Sequence, residues 1–235
     1  MSQLPTSDSG SNKSQRRILI LTSSPRTDGN SAQLAHAFAK GARESGSEVE
    51  ISHLSGLVKF GLQDCRKCRD ADGHCTIRDD FEGLFLNKAL VADAWVYATP
   101  IWWYGISGHL KNFLDRIFCY ISESNLDSEN VMEKLMGKHV ALLLSAEESN
   151  FSARLAIIQQ IQETCRYLHH TMVGIVVGIG NKRGEVQTDP NVPLDTAADL
   201  GRRLFDIEVS DYKLDTVRSD AVWGADKFKF PARWY

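Results

Sequence analysis

The sequence contains little cysteine, little net charge and no long apolar run. Its five cysteines among 235 residues are an odd number, which argues against a disulfide framework and favours a reducing, cytoplasmic setting. A formal net charge of −3 gives no electrostatic reason to expect a nucleic-acid partner. No apolar stretch reaches the length of a membrane span, and residues 1–16 lack the apolar segment of an export signal. We therefore expect a cytoplasmic protein without membrane association.

Apolar runs and amphipathic stretches alternate along the chain. Apolar runs predict strands at 18–22, 94–99, 140–145 and 172–178, and a short strand is predicted at 49–53. The amphipathic stretches predict five helices, at 31–45, 80–90, 107–120, 151–168 and 196–207. On the helix over 107–120 we expect a buried face formed by Leu110, Phe113, Leu114, Ile117 and Phe118. This alternation predicts an α/β fold with a doubly wound parallel sheet in a single domain over 17–207.

Two segments flank that domain. Residues 1–16 are rich in Ser, Gln and Asn, and we expect a disordered tail there. Residues 208–235 contain the aromatic residues Tyr212, Trp223, Phe228, Phe230, Trp234 and Tyr235. This aromatic density favours an extension that contacts a second subunit over an arm that packs within its own chain.

A loop of small and polar residues follows the first predicted strand. It reads Ser23-Ser24-Pro25-Arg26-Thr27-Asp28-Gly29-Asn30-Ser31 and leads into the first predicted helix. Its N–H groups, with the side chains of Ser24, Thr27, Asn30 and Ser31, could hold a phosphate monoester at the positive end of the helix dipole. The spacing matches neither the dinucleotide fingerprint nor the P-loop. The alternative is an ordinary Ser or Asn cap on an amphipathic helix.

Three consecutive aromatic residues, Trp102, Trp103 and Tyr104, follow the strand predicted over 94–99. Ligands of open α/β sheets bind at the carboxyl ends of the strands, which is where these residues fall. Pro100 before them fixes the turn, and Gly105 and Gly108 after them would let the backbone approach a flat ligand. The segment therefore predicts a ring-stacking site, although each aromatic residue singly could instead pack into the core or a subunit contact.

Together the two segments resemble the flavodoxin-like NAD(P)H-dependent FMN reductase family. That family carries a Ser-Pro-Arg-x-x-Gly-Asn-Ser type phosphate loop and a Thr-Pro-x-Tyr/Trp flavin loop, followed by a Leu-Lys-Asn-x-Leu-Asp-Arg helix. The resemblance covers residues 17–207 and implies the strand order 2-1-3-4-5. It also implies bound FMN, with its phosphate at Ser24, Arg26, Asn30 and Ser31 and Ser23 as a further cofactor-binding residue. The flavin ring would lie at Pro100, Ile101, Trp102, Trp103, Tyr104 and Gly105.

A third loop is expected to complete this site. Ser145, Ala146 and Glu147 follow the fourth predicted strand, and backbone N–H groups there could reach the pyrimidine edge of the flavin. Glu147 and Glu148 themselves are more typical of a solvated loop. The glycines between Gly178 and Gly184 lack dinucleotide spacing and predict a turn.

The segment from Cys65 to Cys75 resembles the cysteine loop of the related iron-sulfur flavoproteins. Ala71 stands where the third of four cysteines is expected, so a four-iron cluster would be one thiolate short. A zinc site built from Cys65, Cys68, Cys75 and His74 would be strained, because adjacent residues rarely point at one metal. We therefore expect no metal and a loop that lies near the flavin or at a subunit contact. Within it we consider Cys65 and Cys68 as redox-sensitive thiols beside basic residues.

The resemblance implies an oxidoreductase that uses NADH or NADPH, FMN and a small acceptor in a ping-pong cycle, assembled as a homodimer or homotetramer. The acceptor could be a quinone, a flavin, a nitro or azo compound, or a pathway metabolite. Arg154, Lys182 and Arg183 are candidates for contacting the 2′-phosphate of NADPH, or are ordinary surface charges. No side chain is assigned as a catalytic acid, base or nucleophile. The alternatives are an electron-transfer flavoprotein of the iron-sulfur type and a flavin-binding protein without turnover.

Overall fold

The computed structural model describes residues 15–63, 69–123 and 125–209. The predicted tail falls almost entirely outside these residues. The C-terminal extension lies outside them from residue 210 onward, so its expected contact with a second subunit stays a prediction.

The core of the fold is a sheet of five parallel strands. They are β1 (Arg17–Thr22), β2 (Glu48–His53), β3 (Ala94–Pro100), β4 (His139–Ala146) and β5 (Thr171–Ile179). Their order is β2-β1-β3-β4-β5, and every neighbouring pair is parallel. The predicted doubly wound α/β fold is confirmed, as is the strand order that the resemblance implied.

Seven α-helices connect or follow the strands in the described part of the chain. They are α1 (Asn30–Glu44), α2 (Leu54–Leu57), α3 (Phe81–Leu84), α4 (Gly108–Ile121), α5 (Ser128–Leu135), α6 (Ser152–Leu168) and α7 (Pro193–Arg203). A π-helical turn (Phe85–Ala89) continues α3, and a 3₁₀ turn (Glu185–Thr188) precedes α7. Among the described residues, none of these helices is long and apolar enough to cross a membrane.

The structure differs from the predicted helices in three respects. The helix predicted over 196–207 begins at Pro193, since the fixed φ of proline suits a first helical position. The short helices α2 and α5 were not predicted, because four to eight residues carry too little periodicity. On α4, Phe118 lies 36% exposed whereas Arg116 is only 1% exposed. Arg116 can be buried because it forms an ion pair with Asp79.

The strands divide their side chains between two apolar layers. Ile18 and Ile20 of β1 pack with α1 and α7 on one face, whereas Leu19 and Leu21 pack with α4 and α6 on the other. Helices α1 and α7 approach so closely that a Cβ atom on Gly41 would lie 1.8 Å from the Ala198 carbonyl oxygen. This close packing fixes α7, which follows β5, beside α1.

The strand register brings four loops to one edge of the sheet. Thr22 lies opposite Ala98, Pro100 opposite Ser145, and Ser145 opposite Gly178. The loops that follow β1, β3, β4 and β5 therefore begin next to one another, at the carboxyl edge where ligands of such sheets bind.

Candidate functional site

The loop after β1 leads into the N-terminus of helix α1. Ser23 is buried, and its N–H donates to the Ala98 carbonyl oxygen on β3 at 2.9 Å. The Arg26 N–H then donates to Ser24 Oγ at 3.1 Å, which turns the chain toward α1. The first hydrogen bond of the helix runs from the Gln33 N–H to the Gly29 carbonyl oxygen at 3.0 Å. The N–H groups of residues 30–32, all of them described, accordingly have no backbone acceptor and are available to an anion.

The Asn30 side chain does not remain available as a phosphate donor. Its Nδ2 donates to the Gly180 carbonyl oxygen at 2.9 Å and to the Lys182 carbonyl oxygen at 3.0 Å. Its Oδ1 accepts from the Val186 N–H at 3.4 Å. Because an amide nitrogen has two hydrogens, both are already used. The expected contact between this side chain and phosphate is therefore corrected: Asn30 fixes the loop after β5.

That loop, residues 180–185, forms a wall of the site that the sequence analysis treated as a turn. Glu185 Oε2 accepts from the N–H groups of Asn181 and Lys182, both at 2.8 Å, and these bonds lower the pKa of Glu185. Arg183 Nη1 lies 3.3 Å from Asp28 Oδ2 in the loop after β1. Gly180 is required at its position, because a Cβ atom there would lie 2.9 Å from the Val186 backbone nitrogen.

The aromatic segment after β3 is a tight hairpin. Trp102 and Gly105 exchange two backbone hydrogen bonds, each of 3.0 Å. The two residues between them have positive φ, 49° at Trp103 and 59° at Tyr104. Two successive left-handed residues are typical of a type I′ turn, which normally uses Asn or Gly. Trp103 is 97% exposed, so the hairpin presents its ring to solvent rather than to the core.

The loop after β4 supports this hairpin. The Tyr104 hydroxyl donates to Glu148 Oε1 at 3.1 Å, and this hydrogen bond raises the pKa of Tyr104. Glu148 Oε2 in turn accepts from Asn150 Nδ2 at 2.6 Å. The Ile101 N–H donates to the Ser145 carbonyl oxygen at 2.9 Å. These contacts join the loops after β3 and β4 along one side of the site.

The four loops enclose a pocket of about 210 Å³. It is lined by Ser24, Arg26, Gly29, Asn30 and Ser31 from the loop after β1, by Pro100, Ile101 and Trp102 at the end of β3, by Ser145, Ala146 and Glu147 at the end of β4, and by Gly180, Asn181, Lys182 and Arg183 after β5. This volume is smaller than that of a typical pocket for a drug-sized ligand, about 300 Å³ or more. A large ligand would therefore place only its polar end inside, with a flat part against the hairpin.

Ten of the fourteen predicted cofactor residues line this pocket. The other four are Ser23, which is buried beneath the loop, and Trp103, Tyr104 and Gly105, which form the outer part of the hairpin. A Cβ atom on Gly105 would meet only one atom, the Trp102 carbonyl oxygen at 3.7 Å. The structure thus places the unusual backbone conformation on Trp103 and Tyr104, and not on the glycine that the sequence analysis emphasised.

The residues that the sequence analysis missed are Gly29 and the loop after β5. Lys182 and Arg183 were considered only as contacts for a 2′-phosphate, and Gly180 only as part of a turn. The position of this loop directly after a predicted parallel strand was the available signal, since all such loops share one edge.

The cysteine segment is described only in part. Cys65 and Cys68 lie outside the described residues, so the predictions about a metal or redox role for them stay predictions. Cys75 is buried, and His74 Nδ1 lies 2.7 Å from Glu82 Oε1. No cluster of three or more metal-ligating side chains occurs within residues 15–63, 69–123 and 125–209.

Comparisons with known proteins are consistent with this geometry. The family model described as "Flavodoxin-like fold" matches residues 16–182. A protein of Bacillus subtilis described as a candidate NAD(P)H-dependent FMN-containing oxidoreductase is 24% identical over 74% of this chain and 90% of its own. An iron-sulfur flavoprotein of Archaeoglobus fulgidus is 27% identical over 84% of this chain and 82% of its own. The solved structure of an NAD(P)H:quinone oxidoreductase from Methanothermobacter marburgensis has the same fold, with a TM-score of 0.62 at 17% identity over 84% of this chain and 100% of that one.

Proposed function

Because this chain belongs to the family of proteins with the flavodoxin-like fold, we propose that it is an FMN-dependent oxidoreductase that uses NADH or NADPH to reduce a small acceptor. One observation carries the proposal: a pocket with anion-binding groups at one end opens onto an exposed aromatic hairpin at the other. A flavin mononucleotide has the matching shape and charge, with a terminal phosphate and a flat ring.

The donor set at the inner end of the pocket fits a phosphate. The free N–H groups at the start of α1 point toward it, and Ser24 and Ser31 add hydroxyl groups. Arg26 and Lys182 also line the pocket and add positive charge. A dianionic phosphate is stabilised by such charge-assisted hydrogen bonds.

When bound, FMN supplies the redox chemistry, accepting a hydride from the nicotinamide and passing electrons to the acceptor. The chain itself would bind and orient the reactants. Pro100, Ile101 and Trp102 provide the apolar wall beside the ring, and Trp103 offers a stacking surface to a flat partner. We assign no side chain as a proton donor or nucleophile, so positioning would account for most of the rate.

The relatives support this class of reaction. The Bacillus subtilis protein is described as using NAD(P)H and FMN, and the Methanothermobacter marburgensis enzyme as an NAD(P)H:quinone oxidoreductase. We propose a flat aromatic acceptor such as a quinone, because the hairpin presents aromatic surface. Nicotinamide and acceptor would need the same face in turn, which favours a ping-pong cycle.

An electron-transfer flavoprotein is the second candidate, and the Archaeoglobus fulgidus relative is the observation that favours it. Ala71, at the position expected for a cluster cysteine, argues against the full iron-sulfur type. Iron analysis of protein purified without oxygen separates the two. Stoichiometric iron would support the carrier, and its absence would support the oxidoreductase.

The phosphate assignment is tested by comparing FMN with riboflavin in calorimetric titrations of apoprotein. FMN should bind more tightly, since each charge-assisted bond to the phosphate contributes about 1.5–3 kcal/mol. The Ser31→Ala variant should weaken FMN binding while leaving riboflavin binding unchanged. Equal affinities for FMN and riboflavin in the unmodified protein would show that the pocket does not bind the phosphate.

A further inference from the structure

Two cysteines lie together in the core, outside the proposed flavin site. Cys75 precedes α3 and is 3% exposed, and Cys119 lies on α4 and is 1% exposed. The two side chains are hydrogen-bonded to each other, and both are free thiols. The proposed flavin chemistry uses neither of them.

A buried cation lies beside this pair. Arg116 Nη2 donates to Cys75 Sγ at 3.6 Å, and Arg116 Nη1 donates to Asp79 Oδ2 at 2.5 Å. The guanidinium carbon also lies 4.2 Å from the centre of the Phe81 ring. Asp79 and the Cys75 sulfur thus share one arginine, and all three side chains are buried.

These contacts make Cys75 chemically unlike an ordinary buried cysteine. The hydrogen bond from Cys119, together with Arg116 and a backbone bond at Ile77, outweighs burial and lowers the pKa of Cys75 to about 5. Cys165 provides the contrast within the same core, since burial raises its pKa to about 12. A thiolate is the reactive form of cysteine toward oxidants.

We propose that Cys75 and Cys119 form a redox-active dithiol, which hydroperoxides oxidise to an intramolecular disulfide. The Cys75 thiolate attacks a peroxide oxygen, so that an S–O bond forms, the O–O bond breaks and hydroxide leaves. The Cys119 sulfur then attacks the Cys75 sulfur, forming the S–S bond and displacing the S–O oxygen. The Cys119 proton and one proton from solvent convert the two displaced oxygens to water. Two electrons pass from the thiols to the peroxide.

The burial of the pair determines what kind of oxidant can react with it. Both sulfurs are almost fully buried, so a small hydroperoxide is favoured over a bulky disulfide reagent. A resolving thiol in contact with the attacking sulfur is the arrangement in which a sulfenic acid condenses instead of accumulating. Disulfide formation would also remove the thiolate that accepts from Arg116, which would leave that arginine paired with Asp79.

The test uses the full-length protein treated with about one equivalent of hydrogen peroxide, then alkylated under denaturing conditions and mapped by peptide mass spectrometry. We expect a disulfide-linked pair of peptides containing Cys75 and Cys119, lighter by about two hydrogens than the two thiol peptides together. Dithiothreitol should convert it back to the two separate thiol peptides. A link from Cys75 to Cys65 or Cys68, or recovery of Cys75 and Cys119 as unlinked thiols, would overturn the proposal.

Two sets of variants check the roles within the pair. Cys119→Ser should abolish the link and leave a Cys75 sulfenic acid that dimedone traps, whereas Cys165→Ala, the matched buried cysteine, should retain the link. A Cys65→Ser/Cys68→Ser variant should also retain it, and loss of the link there would contradict the proposal. Circular dichroism checks that each variant is folded. If a variant is unfolded, the peptide map of the unmodified protein still decides the proposal.

Discussion

The side-chain amide of Asn30 donates to the carbonyl oxygen of Gly180 at 2.9 Å, across 150 positions of sequence. This contact joins the first turn of α1 to the loop after β5. It places Lys182 and Arg183 on the wall of the pocket, beside the N–H groups that would receive a phosphate. Asn30 thus joins the loop after β5 to α1, alongside the contact between Arg183 and Asp28.

Replacing Asn30 with Ala should loosen this wall. The two amide hydrogen bonds to Gly180 and Lys182 are lost, each contributing about 0.5–1.5 kcal/mol. We expect faster amide exchange at Asn181 and Lys182 and an FMN affinity reduced roughly 10-fold. Hydrogen exchange read by mass spectrometry and an FMN titration measure the two effects.

The control for the Asn30 variant is His36→Ala, because His36 is exposed on the same helix. This variant should leave the amide exchange and the FMN affinity unchanged. Unaltered exchange in the 180–186 segment of Asn30→Ala would mean that the loop is held by other contacts.

Replacing Trp103 with Asn should separate the backbone strain at this residue from the contribution of its ring to substrate binding. Trp103 has a φ of 49° and is 97% exposed, so Asn, which tolerates this conformation, should stabilise the fold by about 1 kcal/mol. The lost ring should raise the KM for nicotinamide and for a quinone several-fold, since such ring contacts contribute about 0.5–1.5 kcal/mol. Thermal unfolding and steady-state kinetics measure these effects.

Trp103→Phe retains an aromatic ring and the same backbone strain. It should therefore have nearly the original KM values and the original stability. A Trp103→Asn protein that is less stable than the original would show that the indole makes stabilising contacts that outweigh the strain.

Replacing Asp79 with Asn should destabilise the fold in a pH-dependent manner. Burial alone would raise the pKa of Asp79, but hydrogen bonds from Arg116, Phe81 and Phe60 outweigh it and lower the pKa below 3.8. The stabilisation is thus complete at neutral pH and is lost as the pH falls below about 4. Asp79→Asn leaves the buried Arg116 without its carboxylate partner, which should cost about 3–5 kcal/mol at pH 7.

Urea unfolding at pH 7 and at pH 3 tests this prediction, with Asp199→Asn as the surface control. Asp199 lies in exposed ion pairs, so its replacement should change the free energy of unfolding by less than about 1 kcal/mol. The deficit of Asp79→Asn should shrink at pH 3, and a deficit equal at both pH values would contradict the assigned ionisation.

The fold could be predicted from the sequence because four of the five described strands contain a short apolar run. Ile18, Val96 and Leu142 each belong to a run that is hydrophobic throughout, as strands buried on both faces are. The ends of α7 were placed three to four residues too late, because Pro193 was not recognised as a first helical residue.

The site was predictable where a motif directly follows a strand, as at Ser24 and Trp102. It was not predictable where a side chain connects distant loops. Asn30 fits a phosphate motif, and only the structure shows that its amide is bonded to Gly180 and Lys182. The burial of Arg116 was likewise hidden, because a charged side chain is normally exposed unless its partner is known.

The central claim is that nicotinamide nucleotides reduce FMN bound to this chain. The direct measurement mixes the FMN-loaded protein with NADH or NADPH in the absence of oxygen and follows the visible absorbance of the flavin. The proposal predicts that one equivalent of at least one of the two nucleotides bleaches the flavin, and that a quinone then restores the absorbance. A flavin that neither nucleotide reduces, but that a reduced ferredoxin does reduce, would contradict the proposal and identify an electron carrier.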